Sequence, residues 1–292
     1  MKRDHIRELV VLSGKGGTGK TSITASFAVL ADRAVLADCD VDAADLHLLL
    51  TPEVEQRHVF FSGHEAVIDQ LECTTCGLCL DICRFDAIRT DSTTYWVDPV
   101  GCEGCGVCVR FCAARAINFP ERRCGEWMIS TTRCGPMVHA HLGVAAENSG
   151  KLVSTVREQA LAVAVEKQIP LIISDGPPGI GCPVIASLSG VSLALVVTEP
   201  SVSGLHDLQR VLALARHFSV PTAVCVNKWN INPQQAERIE AAARSAGAAV
   251  TSRIRYDRAV TEAQLQQKAV VEVDTAVADD IKQVWQQVSQ ML

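Results

Sequence analysis

The sequence predicts an α/β fold: a doubly wound, mostly parallel sheet covered by helices and interrupted by a smaller inserted α+β domain. Three observations predict it. Short apolar runs of strand type alternate with segments of helical periodicity from residue 9 onward and again after about residue 123. Between them lies a cysteine-rich internal repeat. The composition, 48% apolar and only 4% aromatic, is typical of a helix-covered parallel sheet.

Length and charge narrow the class of protein. The 292 residues suffice for about two domains of roughly 100 to 200 residues each. The formal net charge is -6 and the basic residues are scattered, so the basic patch of a direct nucleic-acid binder is missing. The longest apolar runs, such as VSLALVV, fall far short of the ~18 residues of a membrane span, and no secretory signal pattern is present. We therefore expect a cytoplasmic protein with no direct nucleic acid and no stable membrane insertion.

The first unit of the sheet is predicted from residues 9–45. LVVLS is a short strand, a glycine-rich loop follows, and Ile23, Phe27 and Leu30 recur at helical spacing. The next apolar run, RAVLADCD, predicts a second strand. Parallel strands deliver polar groups to the carboxyl edge of a sheet, so acids are expected there beside the glycine loop. These acids are Asp38, Asp40, Asp42 and Asp45.

An internal duplication separates this unit from the rest of the sheet. CTTCGLCLDICRFDAI from Cys73 and CEGCGVCVRFCAARAI from Cys102 match at an offset of 29 residues. The alternating strand and helix pattern stops near Ser62 and resumes after about Arg123. We therefore predict one domain from residues 1–61 and 123–292, with an inserted domain over residues 62–122.

The remaining elements follow the same alternation. EWMISTT, PMVHAHLG, PLIISDG, LALVVTEP and TAVCVNK are predicted strands, and residues 154–167, 205–217 and 233–246 are predicted helices. The C-terminal AVADDIKQVWQQVSQML has one apolar stripe at helical spacing. Its polar face carries one lysine and two acids, unlike a basic membrane-surface helix, so we expect it to pack against the sheet.

The loop after the first strand carries a phosphate-binding motif. GKGGTGKT fits the P-loop pattern G-x-x-x-x-G-K-[ST], and it follows a strand and opens a helix, as the motif requires. Backbone N–H groups and the helix N-terminus would bind phosphate oxygens, while Lys20 would reach the β- and γ-phosphates and Thr21 would bind magnesium. The expected nucleotide-binding residues here are Gly14, Lys15, Gly16, Gly17, Thr18, Gly19, Lys20, Thr21 and Ser22.

A second lysine, Lys15, makes the resemblance more specific. KGGTGKT resembles the deviant P-loop of the MinD/ParA and nitrogenase iron protein class of ATPases. The resemblance implies an ATPase (ATP phosphohydrolase) that uses ATP and Mg2+, forms an ATP-dependent homodimer, and is stimulated by dimerisation or a partner. In that class the extra lysine reaches the phosphates of the other subunit. Lys15 would then act with Lys20 where the γ-phosphoryl group develops negative charge.

Three further positions match motifs of that class. Asp40 in LADCDVD resembles the switch acid that positions the attacking water, with Asp38 as its competitor for the role. Asp175 in LIISDGPPG resembles the acid that holds magnesium through water, so Thr21, Asp40 and Asp175 form the expected magnesium group. Asn227 in CVNK resembles the asparagine that contacts adenine.

The duplicated segment carries two copies of the iron-sulfur ligand run C-x2-C-x2-C-x3-C. In two-cluster ferredoxins the fourth cysteine of each run binds the other cluster. One 4Fe-4S cluster would therefore use Cys73, Cys76, Cys79 and Cys112. The second would use Cys102, Cys105, Cys108 and Cys83. Zinc is the chemical alternative, although three evenly spaced cysteines plus a fourth fit clusters better. The usual proline after the fourth cysteine is replaced by Arg84 and Ala113.

Together these motifs resemble the MinD-superfamily ATPases that contain an inserted two-cluster ferredoxin domain. Among the other cysteines, Cys39 and Cys225 lie in predicted strands as small buried residues. Cys182 follows the second switch-like segment and is an open candidate for a metal or partner contact, by analogy with the nitrogenase iron protein. Cys124, Cys134, His139 and His141 show no standard metal spacing, and a structural role is favoured for them.

The resemblance leaves three functional hypotheses. The first is ATP-driven electron transfer to a partner metalloprotein or redox protein, or assembly of its metallocluster. The second is ParA/MinD-like spatial organisation in which the clusters are structural or sense redox state. The third is amide transfer, as in cobyrinic acid diamide synthases, although no glutaminase-like domain is evident. The partner, the electron donor and the direction of electron flow are not specified by the sequence.

Overall fold

The computed structural model describes residues 5–143 and 149–292. Their backbone contacts divide them into two compact units. The larger unit comprises residues 5–58, 127–141 and 149–292, and the smaller comprises residues 59–126 and 142–143. The predicted domain limits at residues 62–122 stay a prediction, and the predicted outer domain also includes residues 1–4 and 144–148, which lie outside the described residues.

The described chain contains the following strands. They are β1 Arg7–Ser13, β2 Val35–Asp38, β3 Glu53–His64, β4 Val67–Ile68, β5 Ile88–Thr90, β6 Tyr95–Val97, β7 Ile117–Asn118, β8 Glu121–Thr132, β9 Gly135–Leu142, β10 Leu171–Pro178, β11 Leu193–Thr198, β12 Thr222–Val226 and β13 Ala249–Val250.

The helices follow in chain order. They are α1 Lys20–Leu30, α2 Leu46–Leu50, α3 Leu78–Ile82, α4 Val107–Phe111, α5 Ser149–Glu166, α6 Cys182–Leu188, α7 Val202–His217, α8 Pro233–Ser245, α9 Ala259–Leu265 and α10 Ala276–Ser289. Two 3-10 helices cover Trp229–Ile231 and Val270–Glu272.

A large, mostly parallel sheet organises the fold, as the sequence predicts. Its strand order is β13-β12-β11-β1-β10-β2-β9-β8-β3, and every pair from β13 to β9 is parallel. The central strand β1 buries Leu9, Val10, Val11 and Leu12 completely. A strand buried on both faces needs such a continuous apolar run, and its carboxyl end then delivers the glycine loop to the edge of the sheet.

The C-terminal helix α10 packs into the core, as expected from its apolar stripe. Val277, Ile281, Val284 and Val288 are all buried, and Trp285 lies with its ring centroid 4.9 Å from that of Phe27 on α1. Each fully buried aliphatic side chain contributes about 1.5 to 3 kcal/mol. Among the described helices, none combines the length and the apolar character needed to cross a membrane.

The smaller unit is a structural repeat with the predicted 29-residue offset. Helices α3 and α4 begin after Gly77 and Gly106, both left-handed with φ of 77° and 72°. Before each helix, a cysteine N–H donates to an aspartate carbonyl: Cys73 to Asp69 at 3.0 Å and Cys102 to Asp98 at 3.1 Å. The duplication seen in the sequence is therefore also a duplication of backbone structure.

Strand pairing in this unit obeys the same relation. Antiparallel β5 and β6 pair Ile88 with Val97, and antiparallel β7 and β4 pair Ile117 with Ile68. Each residue of the first pair is 29 positions from a residue of the second. The three isoleucines belong to one apolar core, and Val97 packs against it. Six of the motif cysteines also pack against this core, and they are Cys73, Cys79, Cys83, Cys102, Cys108 and Cys112.

Candidate functional site

The glycine loop between β1 and α1 is shaped by close backbone approaches. Gly14 has no space for a side chain, because a Cβ atom there would collide with Cβ of Asp207. Gly19 immediately precedes α1 with φ of 88°, a left-handed conformation that glycine adopts without strain. The N-terminus of α1 thus opens directly from the loop, with its free N–H groups and partial positive charge.

Lys20 and Asp175 are the centre of a buried polar network at this loop. The Lys20 Nζ lies 3.1 Å from Asp175 Oδ1 and 3.3 Å from Asp40 Oδ2. Hydroxyls of Thr21 and Thr24 donate to Asp175 at 2.7 and 2.9 Å. Burial opposes the charge of Lys20, but Asp175 and Asp40 outweigh it and raise the lysine pKa above its usual value. Lys20 is therefore held as a cation.

The two acids at the end of β2 have different surroundings. Asp38 is fully buried and accepts backbone N–H groups of Asp40 at 3.2 Å and Leu46 at 3.3 Å. Burial, followed by repulsion from Asp175, raises the pKa of Asp38 well above its usual range. Asp40 lines the cavity beside the loop, and burial raises its pKa although Lys20 opposes that effect. Of the two, Asp40 faces the loop.

A cavity of about 340 Å³ lies against the loop. Its walls include Gly16, Gly17, Thr18, Gly19, Lys20, Thr21, Ser22, Asp40 and Pro178. Thr18 is buried, and its Oγ1 has no hydrogen-bond partner among the described residues. A buried hydroxyl without a partner is costly, so a ligand oxygen at this cavity would satisfy it. The donor-rich lining fits an anionic phosphate chain.

A second cavity, of about 220 Å³, shares Gly17, Gly19, Ser22 and Gln264 with the first. Asn227, Tyr256 and Val260 contribute to its lining. The Asn227 Nδ2 donates to the carbonyl of Thr18 at 2.7 Å, which fixes the asparagine against the glycine loop. The two adjoining cavities reach the size range of roughly 300 to 1,000 Å³ that holds small ligands.

Lys15 lies beside the loop but does not line the cavity. Its Nζ pairs with Glu199 Oε1 at 2.6 Å and donates to Ser203 Oγ at 3.0 Å and Ser201 Oγ at 3.2 Å. Burial opposes the charge of Glu199, but the hydrogen bond and charge of Lys15 outweigh it and lower the glutamate pKa. Within this chain Lys15 is therefore held away from Lys20, at the N-terminus of α7.

The eight motif cysteines of the smaller unit line two cavities. The first cavity is bordered by Cys73, Cys76, Cys79 and Cys112, with Cys108 also at its wall. The second cavity is bordered by Cys83, Cys102, Cys105 and Cys108. Burial, together with repulsion from Cys102, Cys105 and Cys83, raises the pKa of the Cys108 thiol.

These cysteines surround two cavities and do not converge on a position where they could all bind one metal ion. Within residues 5–143 and 149–292, no three His, Cys, Asp or Glu side chains are arranged to hold a single metal ion. Apolar groups complete both linings, among them Ile68 and Ile117 at the first cavity and Ile88 and Val97 at the second.

A family model, the CobQ/CobB/MinD/ParA nucleotide binding domain, matches residues 9–270. The chain belongs to this family. A relative from Methanocaldococcus jannaschii, the uncharacterized protein MJ0578, is 34% identical over 231 residues, which cover 78% of this chain and 80% of the relative. A second protein of that organism, MJ0579, is 22% identical over 230 residues, covering 77% and 81%.

Solved structures share the fold of this CobQ/CobB/MinD/ParA domain. The septum site-determining protein MinD from Pyrococcus horikoshii OT3, complexed with Mg-ADP, superposes with a TM-score of 0.56 at 19% identity, covering 98% of this chain and 97% of that one. Apo McdA from Cyanothece superposes with a TM-score of 0.58 at 17% identity, covering 98% and 99%. At these identities the likeness concerns the fold.

Most of the expected nucleotide-binding residues lie close together in the structure. Gly16, Gly17, Thr18, Gly19, Lys20, Thr21, Ser22 and Asp40 line one cavity, Asp175 bonds to Lys20 and Thr21, and Asn227 lines the adjoining cavity. Gly14 and Lys15 are outside both linings. Gly14 packs against α7, and Lys15 extends toward Glu199.

Three residues at the candidate nucleotide site were not predicted from the sequence. Gln264 lines both cavities and donates to Ser22 Oγ at 2.8 Å. Lys228 donates to the carbonyl of Gly17 at 2.8 Å, and Glu199 accepts Lys15. Glu199 follows a strand, which is a detectable sign of the active edge of a sheet. Gln264 lies on the short helix α9, and no local motif marks it.

The cysteines outside the repeat are not gathered into a metal group. Cys39 and Cys225 are fully buried, as expected, whereas Cys182 is exposed as the first residue of α6. The Cys124 thiol donates to the carbonyl of Ser62 at 3.1 Å, and His139 bonds to Ser130 Oγ at 2.8 Å. These contacts agree with the structural role favoured for Cys124 and His139.

Proposed function

We propose that this protein is a nucleotide-dependent switch that binds ATP with Mg2+ and hydrolyses ATP. The observation that carries the proposal is the network in which Lys20, Thr21, Asp40 and Asp175 converge at a glycine loop. Membership of a nucleotide-binding family supports it. Thr21 and Asp175 would hold Mg2+, and Lys20 would bind the phosphates.

The chain's own residues supply the rest of the reaction. Asp40 would orient the attacking water and accept its proton, and burial, which raises its pKa, makes it a better proton acceptor. Asn227 would bind the adenine from the adjoining cavity. Lys15 would leave Glu199 and contact the phosphates of a second copy in an ATP-dependent homodimer. An added cation at the transferred phosphoryl group is worth about 10³ to 10⁵ in rate.

Nucleotide binding and phosphate release test this proposal. We expect Lys20→Ala to lose ATP binding, and Lys15→Ala to retain binding while turnover falls by about 10³ or more. Lys282→Ala is the matched control, because Lys282 is half-exposed on α10 and pairs with Asp279. A wild-type protein that neither binds nor hydrolyses ATP would refute the proposal, and equal turnover of Lys15→Ala and Lys282→Ala would remove Lys15 from the mechanism.

We further propose that the smaller unit is a ferredoxin-like domain that holds two 4Fe-4S clusters. Support comes from the sorting of the cysteines: each cavity is lined by the first three thiols of one repeat and the fourth thiol of the other, with Cys108 also at the wall of the first cavity. This sorting matches the crossed ligation of two-cluster ferredoxins. A cluster takes one thiolate on each iron, so its ligands surround a cavity and do not converge on one ion. That reasoning is compatible with the lack of a single-ion site among the described residues.

Two tasks for the switch follow. The likeness to a septum site-determining protein, MinD, favours spatial organisation of a complex, with the clusters structural or sensing redox state. The two cysteine cavities favour electron transfer to a partner metalloprotein or redox protein, or assembly of a metallocluster on it. The fold comparisons support the first task more directly, because one of the similar structures is a septum site-determining protein.

An anaerobic redox titration of the iron-reconstituted protein, followed by electron paramagnetic resonance, separates these tasks. It is run with and without a non-hydrolysable ATP analogue and Mg2+. A nucleotide-dependent change of ~100 mV corresponds to about 2.3 kcal/mol per electron, within the ~1 to 3 kcal/mol typical of coupling between sites. Such a change would support electron transfer. Unchanged potentials, with nucleotide-dependent polymerisation or surface patterning, would support spatial organisation.

A further inference from the structure

The two cysteine cavities are built from equivalent positions of the repeat. Ile68, Ala116 and Ile117 at the first cavity correspond, at the 29-residue offset, to Val97, Ala87 and Ile88 at the second. The cysteines correspond in the same way. A group bound in either cavity would therefore meet these equivalent residues, whereas Leu78, Ile82 and Phe111 line only the first cavity and Gly104 and Phe119 line only the second.

Among the equivalent positions that line both cavities, three pairs differ by more than a methylene group. Thr74 and Ala114 of the first cavity are replaced at the second by Glu103 and Phe85. The third difference is Tyr95 at the first cavity, where the second has Ala66. Tyr95 brings a hydroxyl, which is a hydrogen-bond donor that alanine cannot supply.

The position of Tyr95 is fixed by its strand. Tyr95 begins β6 and pairs with Thr90 of β5, and its carbonyl accepts the Gln70 side chain at 2.7 Å. Its hydroxyl lies 3.1 Å from the point where a Cβ atom on Gly77 would be, directly after Cys76 in the cysteine loop. None of the side-chain hydrogen bonds in the described part of the chain uses this hydroxyl.

Packing alone accounts for the ring but not for the hydroxyl. The ring contacts the apolar core formed by Ala66, Ile68, Ile88 and Ile117, and phenylalanine would make the same contacts. The second cavity has charged groups of both signs nearby, because Glu103 lines it and Arg122 donates to the Cys102 carbonyl at 3.2 Å. These charges would also affect a cluster potential, so a comparison of the two cavities does not isolate the effect of the Tyr95 hydroxyl.

The effect of the hydroxyl is isolated by removing it from Tyr95 and measuring the same protein.

We propose that Tyr95 donates its hydroxyl to a sulfur atom in the first cavity and thereby raises the reduction potential of the cluster held there. This inference rests on the proposed iron-sulfur function. One-electron reduction makes a cluster and its thiolates more negative, and a hydrogen bond to sulfur stabilises the more negative state. Tyr95 is thus a tuning residue for the cluster of the first cavity.

The test is an anaerobic redox titration of Tyr95→Phe in the full-length, iron-reconstituted protein, with dithionite as the electron source. Iron and sulfide content should equal the wild type, one of the two potentials should shift downward, and the other should stay. Trp96→Phe is the matched control: it also changes an aromatic residue of β6, but Trp96 is 45% exposed and does not line either cavity. Its two potentials should match the wild type.

A second measurement avoids any loss of folding in the variant. Biosynthetic replacement of the two tyrosines by 3-fluorotyrosine gives a more acidic and stronger donor of nearly equal size, so the same potential should shift upward. If both potentials stay unchanged in both measurements, or move equally, the inference is wrong while the iron-sulfur proposal stands. If the wild type takes up no iron and sulfide, both are overturned.

Discussion

Asp38 and Asp40 lie at the end of the same strand, yet their contacts differ. Asp38 accepts two backbone N–H groups away from solvent, whereas Asp40 pairs with Lys20 at the cavity. The first arrangement stabilises the turn into α2, whereas the second places Asp40 where the proposed nucleotide would bind. Under the proposed function, Asp38 would therefore serve stability and Asp40 turnover.

Substitution of each acid tests this division. We expect Asp40→Asn to lower the ATPase rate constant by about 10² to 10⁴, because proton acceptance is lost. The free energy of unfolding should change little. Asp38→Ala should lower the free energy of unfolding by about 2 to 5 kcal/mol, since two buried N–H groups lose their acceptor. Phosphate-release assays and urea denaturation measure these effects. Comparable ATPase loss in both variants with unchanged stability would contradict the assignment.

Single residues also show what the sequence can and cannot specify. Lys20 and Thr21 were predicted because their spacing from the glycines is part of a motif. The sequence favoured Asp40 but left Asp38 as a competitor, because a local pattern does not specify which of two acids at the end of a strand turns its side chain toward the glycine loop. The contacts of Lys15 with Glu199 and of Gln264 with Ser22 join residues far apart in the chain, and no local pattern encodes such pairs.

At the scale of secondary structure, the buried elements were predicted best. β1, β10, β11 and β12 have continuous apolar runs, and α10 has its stripe. β3 was missed, because most of its residues are exposed and it shows no regular alternation. α5 begins at Ser149, five residues before the predicted start. Its first three residues, Ser-Gly-Lys, carry no apolar signal, but the buried Leu152 and Val153 already belong to the apolar stripe, which the prediction began too late.

Strand β9 carries a histidine whose burial makes stability depend on pH. Burial, and then the positive charges of His47 and Arg57, lower the pKa of His139 to about 4. The unfolded chain binds a proton on this histidine below about pH 6.5, whereas the folded chain binds it only when the pH approaches 4. Its contribution is therefore fully present above pH 6.5 and is lost as the pH falls toward 4, by about 3 kcal/mol at most.

Urea denaturation of His139→Gln and wild type at pH 7, 6 and 5 measures this effect. At pH 7 we expect the variant to be less stable by about 1 kcal/mol, because the contact with Ser130 is altered. The gap should narrow as the pH falls, since only the wild type has a histidine to protonate at this position. A gap that is constant across these pH values would show that His139 does not titrate differently in the folded and unfolded chains.

For the whole molecule, the proposed switch predicts a change of assembly. With ATP and Mg2+, the slow Asp40→Asn variant should double in mass in light scattering, and it should be monomeric with ADP. Adding Lys15→Ala should shift the protein back toward monomer, because the cation that would contact the second copy is lost. Adding Lys282→Ala should leave the dimer intact. A mass that is independent of nucleotide would refute the switch.

The crossed arrangement of the cysteine cavities also affects how the chain is made. The first cavity draws three thiols from Cys73, Cys76 and Cys79 but its fourth from Cys112, 33 residues later. A ribosome adding about 5 to 20 residues per second needs roughly 2 to 7 seconds to cover that distance. If these four cysteines hold a cluster as proposed, three neighbouring thiols would wait for the fourth ligand during that interval, and their oxidation would compete with cluster binding while synthesis is still under way.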